Sequence, residues 1–137
     1  MFSVLDISGA GMTANKEWTE AISNNLANMN TTRTNNGGPY KRQTVVFEEK
    51  KKFDAILNQE IGNGVQVKQI VQDNHTRLVY DPEHPDANKE GYVEYPEINV
   101  TSEMTDLLMS QRGYEQNATV LSASKKIMEK EHEIGRV

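Results

Sequence analysis

The chain has 137 residues, 36% of them hydrophobic, no cysteine and a formal net charge of −5. The acidic balance argues against a phosphate-backbone binder, which needs a basic face. The lack of cysteine excludes disulfide scaffolds, thiolate metal sites and cysteine nucleophiles. So few apolar residues at this length suit a single domain whose small core does not involve the whole chain.

Residues 3 to about 29 read as a first helix. Ser3 is a candidate cap, and Asp6 stands where the helix dipole favours an anion. Trp18, Ala21, Ile22, Leu26 and Met29 follow helical spacing and form one apolar stripe. Gly9, Ala10, Gly11 and Ala14 permit either close approach of another helix or a bend. The end of this helix is crowded with asparagine: Asn24, Asn25, Asn28 and Asn30, with Leu26, Ala27 and Thr31 between and after them. Asparagine is a poor helix former and bonds local backbone, so the run favours a helix end. The segment from Thr34 to Pro39 then breaks the chain.

The middle changes character. Gln43–Phe47, Val65–Val71, Arg77–Tyr80 and Gly91–Tyr95 read as short strands of a small antiparallel unit. Alternation in the second of these slips at Ile70–Val71, which suggests a bulge or a strand end there. Gly62-Asn63-Gly64 marks a tight turn. Phe53, Ile56 and Leu57 suit a helical turn within 50–60. Asp81 to Asp86 is a polar loop kept out of pairing by Pro82 and Pro85.

Residues 99–136 read as a second, longer helix. Asn99 is a candidate N-cap, Glu103 and Asp106 lie near the positive end, and Lys125, Lys126, Lys130 and Arg136 near the other. A 4-3 repeat runs through Val100, Met104, Leu107, Gln111, Tyr114, Ala118, Leu121, Lys125 and Met128. A second stripe follows Leu108, Val120, Ala123, Ile127 and Ile134. Two stripes call for more than one neighbouring helix.

Chemistry is hard to find. His84, Glu83 and Asp86 could be read as a metal site, against the simpler reading of a solvated loop. His75 and His132 have no ligand partners in sequence, and no carboxylate pair suggests acid–base work. No catalytic residue, cofactor or metal is assigned. No stretch approaches the ~20 apolar residues of a membrane span. Residues 1–18 lack the basic and continuous apolar regions of a secretory signal peptide.

The run Ile22-Ser23-Asn24-Asn25-Leu26-Ala27-Asn28-Met29-Asn30-Thr31 resembles the N-terminal signature of flagellar rod and hook proteins. Gly37-Gly38-Pro39-Tyr40-Lys41-Arg42, the stretch from Leu78 to Ala87 and the stretch from Arg112 to Asn117 are similar to segments of the basal-body rod protein family, its proximal members in particular. Gly113 and the Gly9-Ala10-Gly11 run depart from that pattern and mark candidate bends. The resemblance implies an α+β fold, in which long N- and C-terminal helices pack as a coiled-coil-like pair around a small antiparallel β-rich middle. Residues 1–32 and 99–137 would form a discontinuous helical rod core, and 33–98 an outer β-rich region. It implies a non-enzymatic subunit that assembles helically into the hollow rod spanning the periplasm, transmits torque and passes exported subunits. Export would follow the flagellar type III route without a cleaved signal peptide. Partners would be other rod proteins and copies of the chain itself, and further the membrane-ring and export-gate components, with no nucleic acid and no transmembrane segment. The asparagine run would be the assembly motif. Trp18, Ile22, Leu26, Met29, Val100, Met104, Leu107, Leu108, Tyr114, Ala118, Leu121, Ile127 and Met128 would serve helix packing. A soluble coiled-coil adaptor explains the helices as well, but not the asparagine run or the proline-rich loop.

Overall fold

A computed structural model describes residues 2–50 and 64–135. Phe53, Ile56 and Leu57, the Gly62-Asn63 part of the expected turn, and Arg136 lie outside them. The elements run α1 (Phe2–Ala27), β1 (Arg42–Glu49), β2 (Val65–Asp73), β3 (Thr76–Tyr80), β4 (Tyr92–Pro96) and α2 (Val100–Ile134). This is the expected α+β arrangement, with the two terminal helices packed against each other and antiparallel strands between them.

Helix α2 begins where its cap predicts. The Asn99 side chain accepts a hydrogen bond from the Ser102 backbone N–H at 3.2 Å, satisfying one of the free donors of the first turn. At ~1.5 Å per residue its 35 residues span about 52 Å. Helix α1 begins at Phe2, one residue before Ser3, so Ser3 lies inside its first turn and Asp6 beyond it. Neither helix is interrupted at its glycines: α1 runs through Gly9 and Gly11, and α2 through Gly113. Close approach of the other helix holds at Gly11 and Gly113, while a Cβ on Gly9 would meet nothing within 4 Å. A Cβ placed on Gly11 would stand 2.9 Å from the Asn117 side chain, and one on Gly113 2.7 Å from Asn15 Oδ1.

The strands form two separate two-stranded antiparallel sheets, β1–β2 and β3–β4. In the first, Val46 faces Gln69 while Phe47 faces Val67, so Lys68 is the extra residue of a bulge. The slip read at Ile70–Val71 has its cause here, two positions earlier, and β2 continues through both residues. The bulge keeps Val65, Val67 and Ile70 on one face, opposite Glu49, Phe47 and Val45. Trp18 of α1 meets Phe47 edge-on, with ring centroids 5.6 Å apart. Helix α1 is thus covered by α2 along one side and by the β1–β2 hairpin along another, burying Ala14, Ala21 and Ile22. Between β2 and β3, the Asp73 carboxylate accepts the His75 backbone N–H at 3.0 Å and contacts its ring. Those bonds hold the partly exposed Asp73 carboxyl below its usual range.

Candidate functional site

The asparagine run ends α1 and turns the chain. Asn28 donates back to the Asn24 carbonyl at 2.9 Å, its Oδ1 accepts from the Thr31 hydroxyl, and the Thr31 backbone N–H bonds the Asn28 carbonyl. The return to β1 passes through Gly37 and Gly38, both at positive φ (80° and 76°), where a Cβ would be strained. The Thr34 N–H closes this loop on the Gly38 carbonyl at 2.9 Å.

At its base stands Asn25, 1% exposed. Its Nδ2 donates to the Gln43 carbonyl at 2.8 Å and to Glu103 Oε2 at 3.0 Å. Its Oδ1 accepts from the Gln43 N–H at 2.8 Å and from the Tyr40 hydroxyl at 3.1 Å. The carboxamide therefore fills all four of its hydrogen-bonding positions. Toward Gln43 it acts as a strand neighbour would, bonding both the N–H and the C=O of one residue. Glu103, also 1% exposed, takes a second partner in Arg42, whose Nε lies 2.6 Å from Oε1. The end of α1, the start of β1 and the first turn of α2 thus meet in one buried polar corner. Burial, and secondarily the nearby Glu103 carboxylate, raise the Tyr40 hydroxyl above the usual tyrosine pKa. A buried carboxylate is tolerable because its oxygens are bonded by a guanidinium and an amide.

A second contact ties the two loops together. Asp86 receives the Thr32 hydroxyl at 2.9 Å and pairs with Arg33 at 2.7 Å. The Asp86 backbone N–H donates to His84 Nδ1 at 3.1 Å. Asp86 and one nitrogen of His84, considered above as metal ligands, are thus engaged in holding the loop. Among the described residues, no cluster of three His, Cys, Asp or Glu side chains is placed to hold a metal.

Of the other expected packing residues, Ile22 is buried, while Trp18, Leu26, Met29, Leu107, Ala118, Leu121 and Met128 are partly covered. Val100, Met104, Leu108, Tyr114 and Ile127 lie in solvent, Leu108 at 58% and Ile127 at 53%. Within the asparagine run, Asn24, Ala27 and Asn30 are exposed and Asn28 and Thr31 partly covered. Asn25 turns all four of its bonds inward. Sequence reading missed the partners of Asn25. Tyr40 and Arg42 stood in a recognised segment without a role, and Glu103 stood as a dipole partner. They lie 15 to 78 residues from Asn25, beyond any local spacing rule.

Residues 5–33, holding most of α1 and the asparagine turn, match the model of flagella basal body rod proteins. Residues 89–131, from β4 through most of α2, match that of the flagellar basal body rod FlgEFG protein C-terminal region. A flagellar basal-body rod protein FlgC of Bacillus subtilis is 42% identical over 98% of each chain. The chain belongs to the FlgC family of flagellar basal-body rod proteins. FlgC of Borreliella burgdorferi is 39% identical over 91% of each chain, and that of Salmonella typhimurium 31% identical over 99% of this chain and 98% of its own. Both ends of the polar corner, Asn25 and Glu103, fall inside the segments shared with the rod family.

Proposed function

We propose that this FlgC-family chain works by assembly: it is a structural subunit of the flagellar rod and catalyses no reaction. Its near full-length likeness to proteins named as basal-body rod proteins carries the reading. The helix pair supports it physically. Counting ~100° per residue, the α1-facing side of α2 is centred on Glu103, Ser110, Asn117 and Ser124. Val100, Met104, Leu108 and Tyr114 lie about 50° to 150° round to one side, and Met109, Val120, Ile127 and Ile134 about 50° to 100° round to the other. All eight are exposed. Covering two apolar stripes on opposite flanks requires neighbours on both sides, and a contact repeated between non-equivalent faces without closure builds a helical filament.

In that assembly the helix pair, residues 1–32 with 99–137, forms the core of a hollow shaft, and residues 33–98 an outer region. The shaft spans the periplasm, transmits torque and passes exported subunits. Its subunits arrive by type III export without a cleaved leader. Neighbours are other rod proteins and further copies of this chain, with the membrane ring and the export gate next in line. The exposed Asn24 and Asn30 bond backbone groups of adjacent subunits, while Asn25 shapes the corner that presents them. Among the described residues no helix is long and apolar enough to cross a membrane, so the chain is held by protein contacts in this reading. The test is to express a tagged copy in flagellated cells lacking their own FlgC. Rods that carry the tag in isolated basal bodies, with motility restored, are expected. A chain that is exported and stable yet absent from basal bodies would overturn the proposal.

A further inference from the structure

Helices α1 and α2 carry the same short pattern, a glycine followed four residues later by an asparagine: Gly11 with Asn15, and Gly113 with Asn117. In each, the asparagine Nδ2 donates to the carbonyl of its own glycine at 2.8 Å. That back-bond lays the carboxamide along its helix and exhausts part of its polarity locally. Each carboxamide then rests on the glycine of the opposite helix, where a Cβ would intrude to 2.9 Å at Gly11 and 2.7 Å at Gly113. The contact is reciprocal: each helix supplies one knob and one bare patch of backbone.

We propose that these four residues form a key that sets the register and rotation of the helix pair, and so keeps α1 from covering the apolar stripes of α2. Hydrophobic attraction is non-directional. With two exposed apolar stripes on α2, it offers α1 a competing seat on either flank. The key opposes those seats by shape. Both glycine–asparagine contacts are made together in a single antiparallel register. Sliding the helices by one turn sets Gly11 against Gly113 in one direction, and Asn15 against Asn117 in the other. A parallel pairing satisfies at most one contact. Rotating α2 onto either apolar stripe removes both glycines from under their knobs. Buried polar residues that set register at a cost in stability are known from coiled coils, and discrimination against competing packings is their use. Further along the same seam, Thr19 and Ser110 hydroxyls lie 2.9 Å apart, an independent marker of the register.

The key acts within one chain, so its test does not depend on the rod reading. The chain has no cysteine, so Thr19→Cys with Ser110→Cys reports the native setting by disulfide formation. Thr19→Cys with Leu108→Cys reports a rotated one. Both pairs are read in the purified full chain in four backgrounds: unchanged, Gly11→Asn, Asn117→Gly, and the two together, which moves the knob to the other helix. Gly11→Asn is expected to cut the native cross-link about tenfold, as overpacking would, and to raise the rotated one. The transposed double variant is expected to recover most of the native cross-link. Should the single variants fail to fold, the double variant still decides the matter. Recovery there upholds the key. A double variant no better than the worse single, or a Gly11→Asn variant that cross-links as the unchanged chain does, would overturn it.

Discussion

Along the seam between the helices, the buried residues of α2 are Glu103, Ser110 and Ser124. On its two flanks the same helix leaves Met104, Leu108, Val120 and Ile127 in solvent. A helix folding only for its own chain would place these the other way round, apolar inward and polar outward. The difference teaches that the two surfaces answer to different tasks. The seam needs to be closed in one way, which small residues and matched hydrogen bonds achieve. In the proposed rod the flanks adhere to neighbours, which exposed apolar area supplies.

If the comparison is right, damage to the seam and its corner should cost folding stability, and damage to the flanks should not. The largest loss is expected from Arg42→Ala. It strands the Glu103 carboxylate in a buried site, at a cost of about 3 kcal/mol, measured as a lower urea midpoint at unchanged slope. Asn25→Ala follows, at about 2–3 kcal/mol, because it leaves Gln43, Tyr40 and Glu103 short of partners. Asn24→Ala, from the same run but exposed, should fall within about 0.5 kcal/mol. Equal losses at Asn24 and Asn25 would erase the distinction between corner and surface. Tyr40→Phe should cost about 1 kcal/mol near neutral pH for its lost bond to Asn25. Its pH dependence sharpens the point. Because the folded tyrosine pKa is raised, the parent keeps this stability below the unfolded value of about 10 and loses it as pH rises through the folded value. The phenylalanine variant lacks that loss, so the gap between the two melting curves should narrow at high pH.

Much of the architecture was legible in the residues. Asn99 announced the start of α2, the glycine and proline breaks separated the strands, and period-two patterns located them. The slip at Ile70 left a bulge and a strand end equally open, because one extra residue anywhere upstream shifts the alternation alike; pairing showed a bulge and placed it at Lys68. The direction in which the stripes face was not legible. Periodicity says that Val100, Met104 and Leu107 share a side, not whether that side meets α1. The polar corner was hidden for a related reason. Asn25, Tyr40, Arg42 and Glu103 meet only after the ends of the chain have folded together, and Glu103 in isolation is an ordinary acidic residue of a helix start. Gly113 looked like a weakness until Asn15 was seen resting on it.

The claim that the flanks of α2 serve assembly is tested most directly by Leu108→Ser with Ile127→Ser, one substitution on each flank. The account predicts that the purified double variant unfolds within about 0.5 kcal/mol of the parent, and that cells carrying it as their only copy build no rod containing it. A variant that loses its fold, or one that enters basal bodies as the parent does, would contradict the account.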